Sequence, residues 1–272
     1  KNPQTYFVPI GTTFEHLIKL SGGITRSDVT IVNGGPMTGT LATKFDVVKK
    51  NTNGILILPD DNQVVLKKQA QTQISVMRAK STCCQCRSCT DLCPRFLLGH
   101  PIKPSEFMKA VSTGNVTDAP VLADSMYCVS CGICEMYACP QGLNPRSLIA
   151  EFKNNMRKAG VKITPVENPE PVNPHREYRK VPMNRLKERL GLTKYDVDAP
   201  LVDLAVDPGR VKIMLSQHIG APAKVNVKSG DVVSVGDIVG KANEEALGVS
   251  VHSSVSGKVI EANDNFVIID IK

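Results

Sequence analysis

Eight of the nine cysteines fall into two runs, Cys83-x2-Cys86-x2-Cys89-x3-Cys93-Pro94 and Cys128-x2-Cys131-x2-Cys134-x4-Cys139-Pro140. Three thiolates two residues apart let one loop wrap three corners of a cubane iron–sulfur cluster. A fourth, set off by a short gap and followed by proline, stands where the chain leaves the site. Structural zinc is served by cysteine pairs or Cys/His sets, four ligands to a metal, and does not need triplets. A disulfide framework belongs to oxidising compartments and short secreted chains, and vicinal Cys83-Cys84 would make an awkward bridge. The spacing points to two [4Fe–4S] clusters and one-electron transfer.

In two-cluster ferredoxins the last cysteine of each run ligates the cluster of the other run. On that pattern Cys83, Cys86, Cys89 and Cys139 hold cluster 1, and Cys128, Cys131, Cys134 and Cys93 hold cluster 2. The second run departs from the usual spacing, with four residues, Glu135 to Ala138, before its last cysteine. Cys84, the ninth cysteine, reads as a free thiol, with ligation in place of Cys83 as the alternative. No catalytic side chain is expected beside the ligands.

The elements around these runs form three segments. Residues 1–66 read as a small α+β unit: a strand over Thr5–Ile10, a helix after Gly11-Thr12-Thr13 with Phe14, Leu17 and Ile18 on one face, and strands at Val29–Val32 and Ile55–Leu58. The loop Asn33–Gly39 between the last two is glycine-rich. It reads as a tight turn, with close approach of a ligand to the backbone as the alternative, and it lacks the Gly-Lys-Ser/Thr of a phosphate loop. Residues 67–160 carry both cysteine runs, flanked by expected helices at Gln69–Ala79, at Ser105–Val111 and from Pro145, capped by Asn144, to a stop at Gly160. Residues 161–197 hold a proline-rich linker (Pro165, Pro169, Pro171, Pro174) and a basic helix, Val181–Leu190, expected to dock on the cysteine-bearing segment. From 198 to 272 short Val/Ile runs alternate with glycine turns, an all-β pattern with an expected hairpin over Val251–Ile260.

Composition bounds the partners. The 272 residues hold 42% hydrophobic residues, no Trp, five Tyr and seven Phe, too few aromatics for base-stacking on single-stranded nucleic acid. The formal charge of +7 counts thiols as neutral. Two clusters of about −2 each bring it near +3, which removes the electrostatic case for nucleic acid or membrane. No stretch reaches the ~18 apolar residues of a membrane span. With neither such a span nor a leader peptide, the reading is a cytoplasmic protein; a start at Lys1 reads as a piece of a longer one.

With these segments in place, the chain resembles the cobalamin reductases of bacterial propanediol-utilisation microcompartments, a group similar to RnfC, the NADH-side subunit of the Rnf ion-translocating complex. Gly11-Thr12-Thr13 and Gly34-Gly35-Pro36-Met37 resemble a soluble-ligand-binding (SLBB-type) β-grasp domain. The cysteine runs resemble a helical dicluster ferredoxin module, and the end resembles a C-terminal barrel-sandwich hybrid, so the fold class is α+β and multidomain. The C-terminal place of the barrel-sandwich favours the cobalamin-reductase branch over RnfC. The resemblance implies an electron wire in a bacterial microcompartment. NADH and FMN sites would lie in a preceding domain, since no G-x-G-x-x-G stands here. Cobalamin would be the acceptor, and an adenosyltransferase and an iron–sulfur shell protein would be partners. Glu244–Val249 lacks the lysine of biotinyl and lipoyl domains, and neither His16 nor His218 matches the D-x-H-x-x-G of base-off cobalamin enzymes. The alternatives are an RnfC-like electron-input subunit of an NADH:ferredoxin oxidoreductase, and a metal-stapled binding scaffold.

Overall fold

The computed structural model describes residues 1–114, 119–162 and 170–271. The chain divides into two compact units, one of Lys1–Gly35, Thr40–Leu58 and Val197–Lys272, the other of Pro36–Gly39 and Pro59–Asp196.

The first unit is mostly β. Strand β1 (Thr5–Tyr6) pairs in parallel with β5 (Leu201–Val202). It is shorter than the expected Thr5–Ile10. Pro9 has no N–H to donate, and a turn follows in which Gly11 adopts φ +97° against the backbone of Lys212. A Cβ on Gly11 would stand 2.9 Å from the Lys212 carbonyl oxygen, so only glycine fits. Helix α1 (Phe14–Leu20) starts where the Thr13 hydroxyl accepts from the His16 amide, and it buries Phe14. Strand β2 (Val29–Asn33) lies between β3 (Thr40–Ala42) and β4 (Ile55–Pro59). The short and largely exposed β3 has no hydrophobic run to announce it.

The C-terminal part forms two sheets that share one core. One has the order β6 (Arg210–Met214), β12 (Phe266–Ile271), β11 (Gly257–Ala262), β8 (Val232–Val233); the other is β10 (Val251–His252), β9 (Ile238–Lys241), β7 (Lys224–Val225). Alternate residues point inward, as in any half-buried strand, so Val211, Ile213, Val233, Val239, Val251, Val259, Val267 and Ile269 meet in the core. The expected hairpin over Val251–Ile260 is not one. The segment switches sheets, β10 pairing with β9, and β11 with β12 and β8. Gly and Ser punctuation marks the bend but does not specify the partner strand.

The second unit is helical: α2 (Gln63–Gln69), α3 (Thr72–Thr82), α4 (Ser88–Asp91), α5 (Pro94–Leu97), α6 (Pro104–Thr113), α7 (Ala119–Asp124), α8 (Pro145–Lys158) and α9 (Met183–Arg189). The helix expected over Gln69–Ala79 starts at Thr72 and runs to Thr82, because Ala70 and Gln71 are extended, and the separate α2 before them is not among the expected helices. Ala79, Phe107, Met108, Leu143, Leu148 and Ile149 form the core, and Cys83, Cys128 and Cys139 pack against it. Both cysteine runs are thus anchored to one apolar centre. In the linker, Pro165 and Pro169 lie outside the described residues. Beyond them the Glu170 and Asn173 amides donate to Gly99 and Leu97, holding the segment to the end of α5.

Candidate metal centres

The first run begins where α3 ends. Cys83 caps that helix, its amide donating to the Ala79 carbonyl. Gln85 and Arg87 then take φ of 52° and 64°, left-handed conformations rare for side-chain-bearing residues. These two reversals coil the loop so that Cys83, Cys86 and Cys89 line one cavity. Its remaining wall includes Cys139 from the second run, with Met108, Leu143 and Pro145; Cys93 is not part of it. Cys84 lies in the lining as well, exposed like Cys86. Cys139 is placed by three contacts: α9 donates from Arg189 to its carbonyl at 2.8 Å, the Leu143 amide donates to its sulfur at 3.3 Å, and its side chain meets the core.

The second run repeats the coil with Ser130 at φ 55° and Gly132 at φ 84°. The Ser130 amide donates to the Cys128 sulfur at 3.3 Å. The extra residue before Cys139 is absorbed by a π-turn over Cys134–Ala138, a helical turn that holds one residue more than an α-turn. Cys93 stands at the N-terminus of α5, and Cys131 and Cys128 lie within electrostatic reach of its thiol. Cys134 in turn feels Cys128, Cys131 and Cys93. Cys83, Cys86, Cys89 and Cys139 thus line one cavity, and Cys93 lies within electrostatic reach of Cys128, Cys131 and Cys134.

Burial governs the acid–base state of these thiols. It pushes Cys89 up to about 12, reinforced by Cys139 and Cys86, and also raises Cys93, Cys131 and most strongly Cys134. Cys86 goes the other way, lowered first by its bond to the Ser88 hydroxyl. Thiols that are costly to ionise alone fit a site in which a cation supplies the compensating charge.

Three supporting side chains carry no local sequence signal. Glu135, only 2% exposed, accepts from the Ser147 amide (2.8 Å) and hydroxyl (3.0 Å) in the first turn of α8. It caps that helix from a distance, in place of the expected Asn144. The Asn144 side chain instead donates to Ser75 at 3.1 Å and accepts from Lys67 at 3.3 Å. Lys67, whose affinity for its proton is lowered by burial, also donates to the Gly142 and Leu143 carbonyls and so fixes the stretch after Cys139. Lys153, on the buried face of α8, donates to the Cys128 carbonyl. The glycine loop finds a packing role: Met37 lies against Gly132, and Lys68 donates to the Met37 and Gly39 carbonyls.

Among the described residues no three Cys, His, Asp or Glu side chains converge on a point as ligands of one ion. The four cysteines of the first set line a cavity instead, and four thiols around a cavity fit a polynuclear cluster. Cubane centres are one-electron carriers whose potentials depend on charge, hydrogen bonds to sulfur and solvent access.

Residues 82–144 match the 4Fe-4S dicluster domain, and residues 193–269 match the RnfC barrel sandwich hybrid domain. The chain is 35% identical over 98% of its length to the cobalamin reductase PduS of Salmonella typhimurium, and equally to that of Citrobacter freundii. It spans 59% of the length of those relatives. It is also 31% identical, over 39% of its residues and 21% of the relative, to one subunit of the Na(+)-translocating ferredoxin:NAD(+) oxidoreductase complex of Acetobacterium woodii. No helix among the described residues is long and apolar enough to cross a membrane.

Proposed function

The chain is a relative of the PduS cobalamin reductases across almost its whole length, with an RnfC-type barrel-sandwich domain, and from that premise we propose that it relays electrons through two [4Fe–4S] clusters to cobalamin. Cluster 1 is held by Cys83, Cys86, Cys89 and Cys139, and cluster 2 by Cys128, Cys131, Cys134 and Cys93. The observation that carries this reading is the presence of Cys139, from the second run, in the cavity lined by the first three cysteines. When bound, each cluster would accept and release one electron at a time.

The chain's own residues provide the sites. The left-handed turns at Gln85, Arg87, Ser130 and Gly132 coil the backbone between the cysteines of each run. The Leu143 and Ser130 amides donate to sulfur, which favours the more negative, reduced state. The core under Cys83, Cys128 and Cys139 keeps water from one side of each site. In this reading NADH and FMN are the upstream donors. The first segment is a ligand-recruiting β-grasp domain, and the protein works in the cytoplasm, inside a bacterial microcompartment, with an adenosyltransferase and an iron–sulfur shell protein as partners.

The test is stopped-flow mixing of the reconstituted, dithionite-reduced protein with cob(III)alamin under nitrogen. Cluster reoxidation matched by cob(II)alamin formation is the expected result. The similarity to the Rnf-type subunit favours one second reading, electron input to a ferredoxin. Transfer to a ferredoxin with none to cobalamin would replace the first reading with that one.

A further inference from the structure

Lys153 presents a problem in elementary electrostatics. It is 8% exposed, it lies on the face of α8 that carries Leu148 and Ile149 into the core, and its ammonium donates to the Cys128 carbonyl. Among the described residues no carboxylate forms an ion pair with it. The cationic groups that act on it are Arg157 and Arg95, which repel it, and the acidic side chain that acts on it is Cys128, one of the ligands assigned to cluster 2. Lys67, Lys68 and Lys187, half-buried lysines of the same unit, each have a carboxylate as neighbour, Glu135 for the first two and Asp196 for the third. A buried charge without a partner is strongly destabilising, and such groups are retained where an opposite charge or a metal site compensates them.

We propose that Lys153 is the counter-ion of cluster 2, positioned through the Cys128 backbone so that its positive charge stabilises the reduced cluster and sets the potential of that site above the value the cysteines alone would give. The inference rests on the two-cluster reading above. Cluster 2 is the negative charge that Lys153 otherwise lacks, since four thiolates outweigh the charge of the iron–sulfide core by about two units in the oxidised state and three in the reduced one. Lys153 therefore interacts more strongly with the reduced than with the oxidised form. No proton need move for this effect, and the residue touches no ligand sulfur. It is a positioning residue whose signature is a potential.

The experiment is an EPR-monitored redox titration of the full chain, reconstituted anaerobically, for wild type, Lys153→Met and Lys153→Arg. A Cys134→Ser variant identifies which midpoint belongs to cluster 2. Lys153→Met keeps the length and burial of the stem and removes the charge. The expected result is a fall of about tenfold in the one-electron reduction equilibrium of cluster 2, which is about 59 mV, with the cluster 1 midpoint in place and the wild-type value largely restored by Lys153→Arg. Unchanged midpoints in a fully loaded Lys153→Met would overturn the proposal and leave Lys153 as a helix-docking residue. If Lys153→Met fails to hold cluster 2, loading of Lys153→Arg supports the charge role, and equal failure of both variants contradicts it. Wild-type protein that binds no sulfide overturns the two-cluster reading itself, a result distinct from any of these.

Discussion

The two cysteine runs look like near-copies, yet the protein builds them by different means. The first lies at the surface, with Cys84 and Cys86 exposed, and reverses direction through Gln85 and Arg87. The second has no exposed cysteine, Gly132 takes one of the left-handed positions, and a π-turn carries the extra residue. Beneath this difference lies a shared device. The residue after the third cysteine of each run caps a later proline-initiated helix, Thr90 accepting from the Ser105 amide of α6 at 2.8 Å and Glu135 from the Ser147 amide of α8. One cap is a neutral hydroxyl and the other a buried carboxylate. Ligand spacing is dictated by the cluster, whereas the surroundings are free to differ, and it is the surroundings that set potential and stability.

The largest effect that would break this comparison concerns the crossed fourth ligands. Cys139→Ser is expected to abolish cluster 1 and Cys93→Ser cluster 2, each leaving about four irons per chain. Iron analysis with EPR of each variant checks this. Loss of the cluster belonging to the mutated residue's own run would show that the runs do not exchange ligands.

The next effect is a pH dependence confined to the cluster-free protein. Burial raises three thiols of the second set, Cys93, Cys131 and Cys134, but in the first set raises Cys89 and leaves Cys86 lowered. A folded state that holds protons which the unfolded chain releases is stable below about pH 9 and loses stability as pH climbs toward 12. Thermal melts between pH 8 and 10.5 should show this decline without clusters and not with them. Cys134→Ala should flatten it, and Cys86→Ala should not.

The caps differ by a smaller margin. Glu135→Ala leaves the Ser147 amide and hydroxyl unpaired inside the protein and should cost about 2 kcal/mol, against about 1 kcal/mol for Thr90→Val. Denaturant unfolding of both variants measures the pair, and equal costs would mean that the carboxylate adds nothing over a hydroxyl. Smallest is the backbone: Gln85→Gly should stabilise by about 0.5–1 kcal/mol by relieving a left-handed residue, while Gly132→Ala should destabilise by about 1 kcal/mol.

Much of the site was legible because its signals are local. Cysteine spacing is fixed by cluster size, and Pro104 and Pro145 start helices wherever they stand. The misread features depend on partners distant in sequence. Glu135 caps a helix that begins ten residues later, so no capping box marks it. Lys67 and Lys153 look like polar-face lysines until the packing buries them. The break at Ala70 has no proline or glycine to announce it, and the segment from Val251 to Ile260 changes sheets because its neighbours in space, β9 and β12, lie outside it along the chain.

The central claim is best tested by anaerobic reconstitution with iron, sulfide and zinc analysis, followed by EPR of the dithionite-reduced protein. The account predicts about eight irons and eight sulfides per chain, with interacting reduced-cluster signals from two neighbouring [4Fe–4S] centres. About two zinc ions and no sulfide would contradict it, and would leave the cysteines as staples of a fold rather than carriers of electrons.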